Sequence, residues 1–202
     1  VPNQIATYKR VRYALIAACL ALAGLAAYGL GVAFRAPTEI AGTRLENPPS
    51  VGDVELRNAT GETVRLADFD GDMQLLFFGY TRCPDVCPLT LSRLAGLYRA
   101  HGEPNDVRVV MVSVDPGYDT PEIVQAYVEA FHPEFLGLSG DVEQVTAAAR
   151  RFYIGVNESA PGQVNHTDMV VVVDGAGRFR WVYSQSDLQY LERDFASLRR
   201  QL

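Results

Sequence analysis

Between Tyr13 and Phe34 the chain runs for 22 residues, YALIAACLALAGLAAYGLGVAF, without a charge. Inside hydrocarbon every backbone N–H and C=O of a lone segment must be satisfied within it, so such a stretch has essentially one option, a helix. At about 1.5 Å per residue that helix spans a hydrocarbon core of about 30 Å. Lys9, Arg10 and Arg12 precede the stretch and only Arg35 follows it closely. The positive-inside bias then keeps the N-terminus in the cytoplasm and exports everything beyond residue 35. The expected organisation is a cytoplasmic N-terminus over 1–12, a single transmembrane anchor over 13–34, a linker over 35–50 and a folded domain over 51–202. This is the layout of a bacterial inner-membrane protein whose domain lies on the periplasmic side. A cleaved signal peptide fits less well, since its apolar core is about 7–15 residues. IAAC, ending at Cys19, resembles a lipoprotein cleavage box, but the apolar run continues well past it.

The exported part is acidic. The formal charge of the chain is −6, and the first 35 residues hold four basic side chains and no acid, leaving about −10 on residues 36–202. A nucleic-acid partner wants a basic face, so that class is excluded. Residues 36–50, APTEIAGTRLENPPS, carry three prolines and little apolar periodicity, as a linker does.

Beyond the linker, apolar residues alternate (Val54, Leu56, then Val64, Leu66) around Thr60-Gly61, which predicts a hairpin. MQLLFFGY (73–80) and VRVVMVSV (107–114) are unbroken apolar runs of strand length, expected to be buried on both faces. Between them Leu91, Leu94, Ala95 and Tyr98 fall at helical spacing, with Gly102 as a C-terminal cap. DTPEIVQAYVEAF predicts a helix with Pro121 at its first position, and Asp141 with Gln144 has capping-box spacing. MVVVVD and RFRWVYS predict a hairpin, and the chain closes with a helix capped by Ser186. This order predicts an α/β, thioredoxin-like fold with an N-terminal β-hairpin extension. A largely parallel central sheet covered on both faces follows from the alternation.

The chemistry concentrates in GYTRCPDVCPLTL, residues 79–91, at the end of the first central strand, where ligands of open α/β sheets bind. Cys83 and Cys87 each precede a proline, which biases both toward extended torsions. Pro88 is suited to a first helical turn, so Cys87 is expected near a helix cap, where thiol pKa values fall. A stapling disulfide is a poor explanation, because a three-residue loop constrains the unfolded chain little. Electron exchange and metal binding remain.

A third ligand decides between them. His101 and His132 stand at predicted helix ends and read as structural. His166, in GQVNHTDMVVVVD, lies in the loop before a buried strand, which in a thioredoxin-like sheet faces the cysteine turn. Thioredoxins place a cis-proline there, whereas no proline occurs here between Pro161 and Asp174. Two thiolates and one imidazole form a soft set that suits copper, with Cu(I) favoured by sulfur. Structural zinc normally takes four protein ligands.

These segments resemble the Sco/SenC family of membrane-anchored copper proteins. FFGYTRCPDVCPLTL, SVDPGYDTPEIVQAY, GLSG at 137–140 and VNHTDMVVVVD carry the resemblance, in the family's order. It implies a thioredoxin-like fold and a role in assembling the dinuclear copper centre of cytochrome c oxidase. Copper, as Cu(I) or Cu(II), would be held by Cys83, Cys87 and His166. The implied partners are the copper-site subunit of the oxidase, a copper donor or thiol reductant, and the membrane through the N-terminal helix. Two positions depart from the pattern. The family usually has Asp before the ligand histidine and this chain has Asn165; it often has Arg where this chain has Tyr118.

Two other functions share the fold. One is an extracytoplasmic thiol–disulfide oxidoreductase that keeps oxidase cysteines reduced, with Cys83 and Cys87 as its redox pair; the CxxxC spacing and the absent proline argue against it. The other is a peroxidase, for which the spacing of Thr81 to Cys83 is wrong. Asp85, between the thiols, is expected to satisfy helix-start amides, and Trp181 to be a half-buried strand residue.

Overall fold

The structure is a computed structural model that describes residues 2–33, 39–69, 71–160 and 163–202, with side chains described over 12–28, 39–69, 71–157 and 164–202. The chain divides into two compact units, Val1–Glu39 and Ile40–Leu202.

The first unit holds one helix, α1 (Pro2–Ala33). Over its described side chains it exposes Leu15, Leu20, Leu22 and Leu25. Among the described residues no helix is long and apolar enough to cross a membrane. Residues 29–34 of the expected span, and 35–38 of the expected linker, lie outside the described side chains.

The second unit is built on a six-stranded sheet in the order β1-β10-β9-β4-β5-β6. Its strands are β1 (Thr43–Arg44), β4 (Met73–Gly79), β5 (Val107–Ser113), β6 (Leu136–Leu138), β9 (Met169–Asp174) and β10 (Phe179–Ser184). Leu75, Leu76, Phe77 and Phe78, facing alternately to either side of β4, are all shut off from solvent. Both sheet faces are therefore covered, as the unbroken apolar run predicts. Burying an aromatic such as Phe77 contributes about 2–3 kcal/mol.

The sheet is mixed rather than largely parallel. β4, β5 and β6 run parallel, while β9, β10 and β1 are antiparallel additions. The cause is the β9–β10 hairpin: β9 pairs antiparallel with β4, and a tight turn can only return the chain antiparallel again. Thr43 and Arg44 lie opposite Val182 and Trp181, so part of the stretch read as linker is an edge strand. The predicted N-terminal hairpin exists as β2 (Glu55–Arg57) and β3 (Thr63–Arg65), in a sheet of its own.

The helices follow their sequence signals closely. α2 (Val86–Ala100) succeeds the cysteine turn. α3 (Pro121–Glu129) has Pro121 at its first position and is capped by the Thr120 side chain, which accepts from the Ile123 amide. α4 (Val142–Arg151) carries the full reciprocal box between Asp141 and Gln144. The closing helix differs. A 3-10 turn (Leu188–Tyr190) comes first, then α5 (Leu191–Gln201), so Ser186 is not its cap; its hydroxyl bonds Ser184 and Asp187 instead. Trp181 is fully buried rather than half-buried, with Arg44 and Arg180 near its ring.

Candidate metal centre

β4 delivers its last residues, Gly79 and then Tyr80, to the mouth of the site. A Cβ on Gly79 would meet the Phe77 ring at 2.6 Å and the Cys87 sulfur at 3.0 Å, so only glycine lets that sulfur sit against the strand end. The chain then turns, the Cys83 amide donating to the Tyr80 carbonyl at 3.2 Å. Cys83 is half-buried, and Cys87, in the first turn of α2, is fully buried. Both are free thiols.

The thiol expected to have a lowered pKa has a raised one. Burial pushes the Cys87 thiol well above its ordinary value, the Tyr80 backbone opposes this, and the neighbouring Cys83 thiol adds to it. Desolvation of the anion outweighs the helix N-terminus. Cys87 is thus protonated at neutral pH, and a metal ion must displace that proton on binding.

His166 is the last residue of a strand rather than a loop residue. β7 (Val156–Ala160) and β8 (Gln163–His166) form a hairpin in which Val156 lies opposite His166. That hairpin carries the imidazole to the cysteine turn, with Nε2 4.0 Å from the Cys87 sulfur. Phe77 and Tyr80 stand edge-on to the ring, centroids 6.4 and 6.0 Å away. On the other side Nδ1 faces two oxygens, the Thr167 carbonyl and Asp168 Oδ1, each at 3.3 Å. A nitrogen between two acceptors carries the proton, which leaves the Nε2 lone pair toward sulfur.

The structure therefore brings Cys87 and His166 together, with the Cys83 thiol on the same turn. Among the described residues, no group of three or more His, Cys, Asp and Glu side chains stands at metal-binding distance. The other two histidines are placed elsewhere: His132 is buried against Glu103 and Tyr98, and His101 caps α2 and stacks on Phe195 at 4.5 Å. A hollow of about 560 Å³ lies alongside, lined by residues including Pro116, Val145, Ile154 and Val164, and none of Cys83, Cys87 and His166 lines it.

Sequence reasoning passed over several residues of this neighbourhood. Asp119, fully buried, accepts from the Thr81 amide at 3.0 Å, from the Thr81 hydroxyl, and from Ser113 Oγ at 2.6 Å. It ties the start of the cysteine turn to the end of β5. Thr81 is thereby engaged away from chemistry. Tyr127, on α3, has its phenol pKa pushed up to about 12 by burial and by the nearby Cys87 and Cys83. Asp85 precedes α2 without a side-chain capping bond and is exposed, so the expected helix-start role is not performed.

A family model described as SCO1/SenC matches residues 43–196. This chain belongs to the SCO1/SenC family. The "SCO2-like protein RP587" of Rickettsia prowazekii is 33% identical over 135 residues, 63% of this chain and 66% of that protein. The chain thus spans just under two thirds of that relative's length. Among solved structures, apo Sco1 from Thermus thermophilus is 42% identical with a TM-score of 0.71, over 81% of this chain and 98% of that one. Arabidopsis thaliana ScoI, solved with copper bound, is 29% identical with a TM-score of 0.67, over 77% and 98%. Both share the thioredoxin-like fold.

Proposed function

We propose that this Sco-family chain binds copper through Cys83, Cys87 and His166 and passes it to the dinuclear copper centre of cytochrome c oxidase. The observation that carries the reading is the approach of His166 Nε2 to the Cys87 sulfur, beside the Cys83 thiol. Two sulfurs and a neutral imidazole fit a soft ion, and Cu(I) is the best-matched first-row candidate. Family membership and the copper-bound relative support the choice of metal. Each thiol releases its proton on binding, and the Nδ1–H tautomer leaves Nε2 free to ligate.

The membrane anchor belongs to the same proposal. The 22-residue uncharged stretch and the basic residues before it support a span over 13–34 with the domain on the extracytoplasmic side. Leu15, Leu20, Leu22 and Leu25, exposed on α1, are surface that a bilayer would cover. Partners in this reading are the copper-site subunit of the oxidase and a copper donor or thiol reductant.

A second reading, thiol–disulfide exchange with the oxidase cysteines, rests on the two free thiols of one turn, Cys83 and Cys87: a disulfide in the acceptor would take up their two electrons and two protons as the Cys83–Cys87 disulfide forms. One experiment separates the two. The Cu(I)-loaded chain is mixed anaerobically with the metal-free, reduced acceptor subunit, and both are re-isolated. Copper carried by the acceptor supports delivery. Copper retained by the chain, with exchange seen only when the acceptor starts oxidised, sinks the copper reading in favour of the second.

A further inference from the structure

The family usually has an acidic residue before the ligand histidine, and this chain has Asn165 there. In a strand, adjacent side chains point to opposite faces. Asn165 and His166 are adjacent in β8, so the side chain at 165 is directed away from the imidazole; Asn165 is exposed, while the His166 side chain is only 4% exposed. A carboxylate nonetheless stands at that ring. Asp168 Oδ1 lies 3.3 Å from His166 Nδ1, is closed off from solvent, and has no hydrogen-bond partner among the described residues. Its position is built in: the Thr167 amide donates to the Gly155 carbonyl at 3.0 Å and the Gly155 amide to the Thr167 hydroxyl at 3.1 Å, clamping the two-residue link between β8 and β9.

We propose that Asp168 is the positioning carboxylate of the copper site: with Oδ1 3.3 Å from Nδ1 it favours the proton on that nitrogen by its charge, keeps Nε2 free toward sulfur, and places one negative charge at the ring. This rests on the copper reading above. The Thr167 carbonyl supports the same tautomer but is neutral, so only Asp168 changes the charge of the site. Two thiolates balance Cu(II) and over-balance Cu(I) by one. A further negative charge therefore stabilises Cu(II) more than Cu(I), and Asp168 weights the site toward the oxidised ion.

The test uses the full chain, reduced and anaerobic, with Asp168→Asn (shape kept, charge removed), Asp168→Ala (acceptor removed) and Asn165→Asp added to Asp168→Asn. Three quantities are read: Cu(I) affinity against a chelator, the Cu(II)/Cu(I) potential of the loaded chain, and the imidazole ¹⁵N shifts of the metal-free chain. Asp168→Asn should weaken Cu(II) about 10- to 100-fold and Cu(I) less. Each tenfold difference between the two moves the potential about 59 mV positive. In the metal-free chain His166 should be the Nδ1–H tautomer natively and a mixture in Asp168→Ala; that shift needs no metal, and amide shifts of the same samples report the fold. An unmoved potential with unchanged ¹⁵N shifts overturns the role of Asp168 while leaving the copper reading intact, and so does restoration of the native potential by Asn165→Asp. A native chain that binds no copper removes the copper reading itself, and the charge role of Asp168 with it.

Discussion

The Thr81 amide and hydroxyl both end on Asp119, a carboxylate 38 residues away in sequence. Replacing Asp119 by alanine leaves two donors at Thr81 and one at Ser113 without their acceptor in a buried place. The expected cost is about 3 kcal/mol in urea unfolding, together with weaker copper binding because the turn holding Cys83 loses its tie. Stability and affinity unchanged in Asp119→Ala would contradict the role given to it. The ligand candidates were legible because cysteine and histidine are rare, and GYTRCPDVCP groups two of them. Asp119 and Asp168 were not, since an acid in an acidic chain carries no local sign of what it touches. The Tyr118 departure has a similar resolution. The Arg82 guanidinium lies 4.2 Å from the Tyr118 ring centre and pairs with Asp115, so an arginine still occupies that surface from the neighbouring loop.

Long apolar runs made β4, β5 and β9 readable, because seven consecutive buried residues in β4 and five in each of β5 and β9 leave no other element that fits. The β6 strand escaped because three residues, Leu136–Leu138, are too few to show a period. β7 and β8 escaped because polar residues such as Asn157 and Asn165 interrupt them. His166 was consequently expected on a loop and sits on a strand end. The hairpin after β9 provides a test at this scale. Asp174 is buried and accepts from the Ala176 and Arg178 amides and from the Arg178 and Arg180 guanidiniums at 2.8–3.0 Å. Burial raises its pKa, but the Arg178 amide and the two guanidiniums prevail, and its carboxyl lies below the ordinary value. A folded pKa below the unfolded value of about 3.9 means stability present above that pH and lost as pH falls through the folded value. Asp174→Asn should therefore lose about 3 kcal/mol at pH 7 and show a flatter acid limb between pH 4 and 2. An acid limb as steep as the native one would show that the carboxylate's partners do not matter.

Over the whole molecule, the metal reading joins elements that are far apart in sequence. Cys87 and His166 are 79 residues apart, on α2 and β8, and a shared ion would link the two elements. Binding to the folded chain alone stabilises it by mass action, about 4 kcal/mol at a free ion concentration a thousand times Kd. Cu(I) should accordingly raise the Tm of the native chain, and the rise should vanish in Cys83→Ser, Cys87→Ser and His166→Ala; an equal rise in any of the three would remove that residue from the ligand set. The most direct test is an anaerobic titration of the reduced full chain with Cu(I) against a competing chelator, with His166→Ala alongside. The account predicts one tightly held ion per chain and an affinity at least tenfold lower in the variant. Native and variant chains of equal affinity, or a native chain that takes no ion, would contradict it.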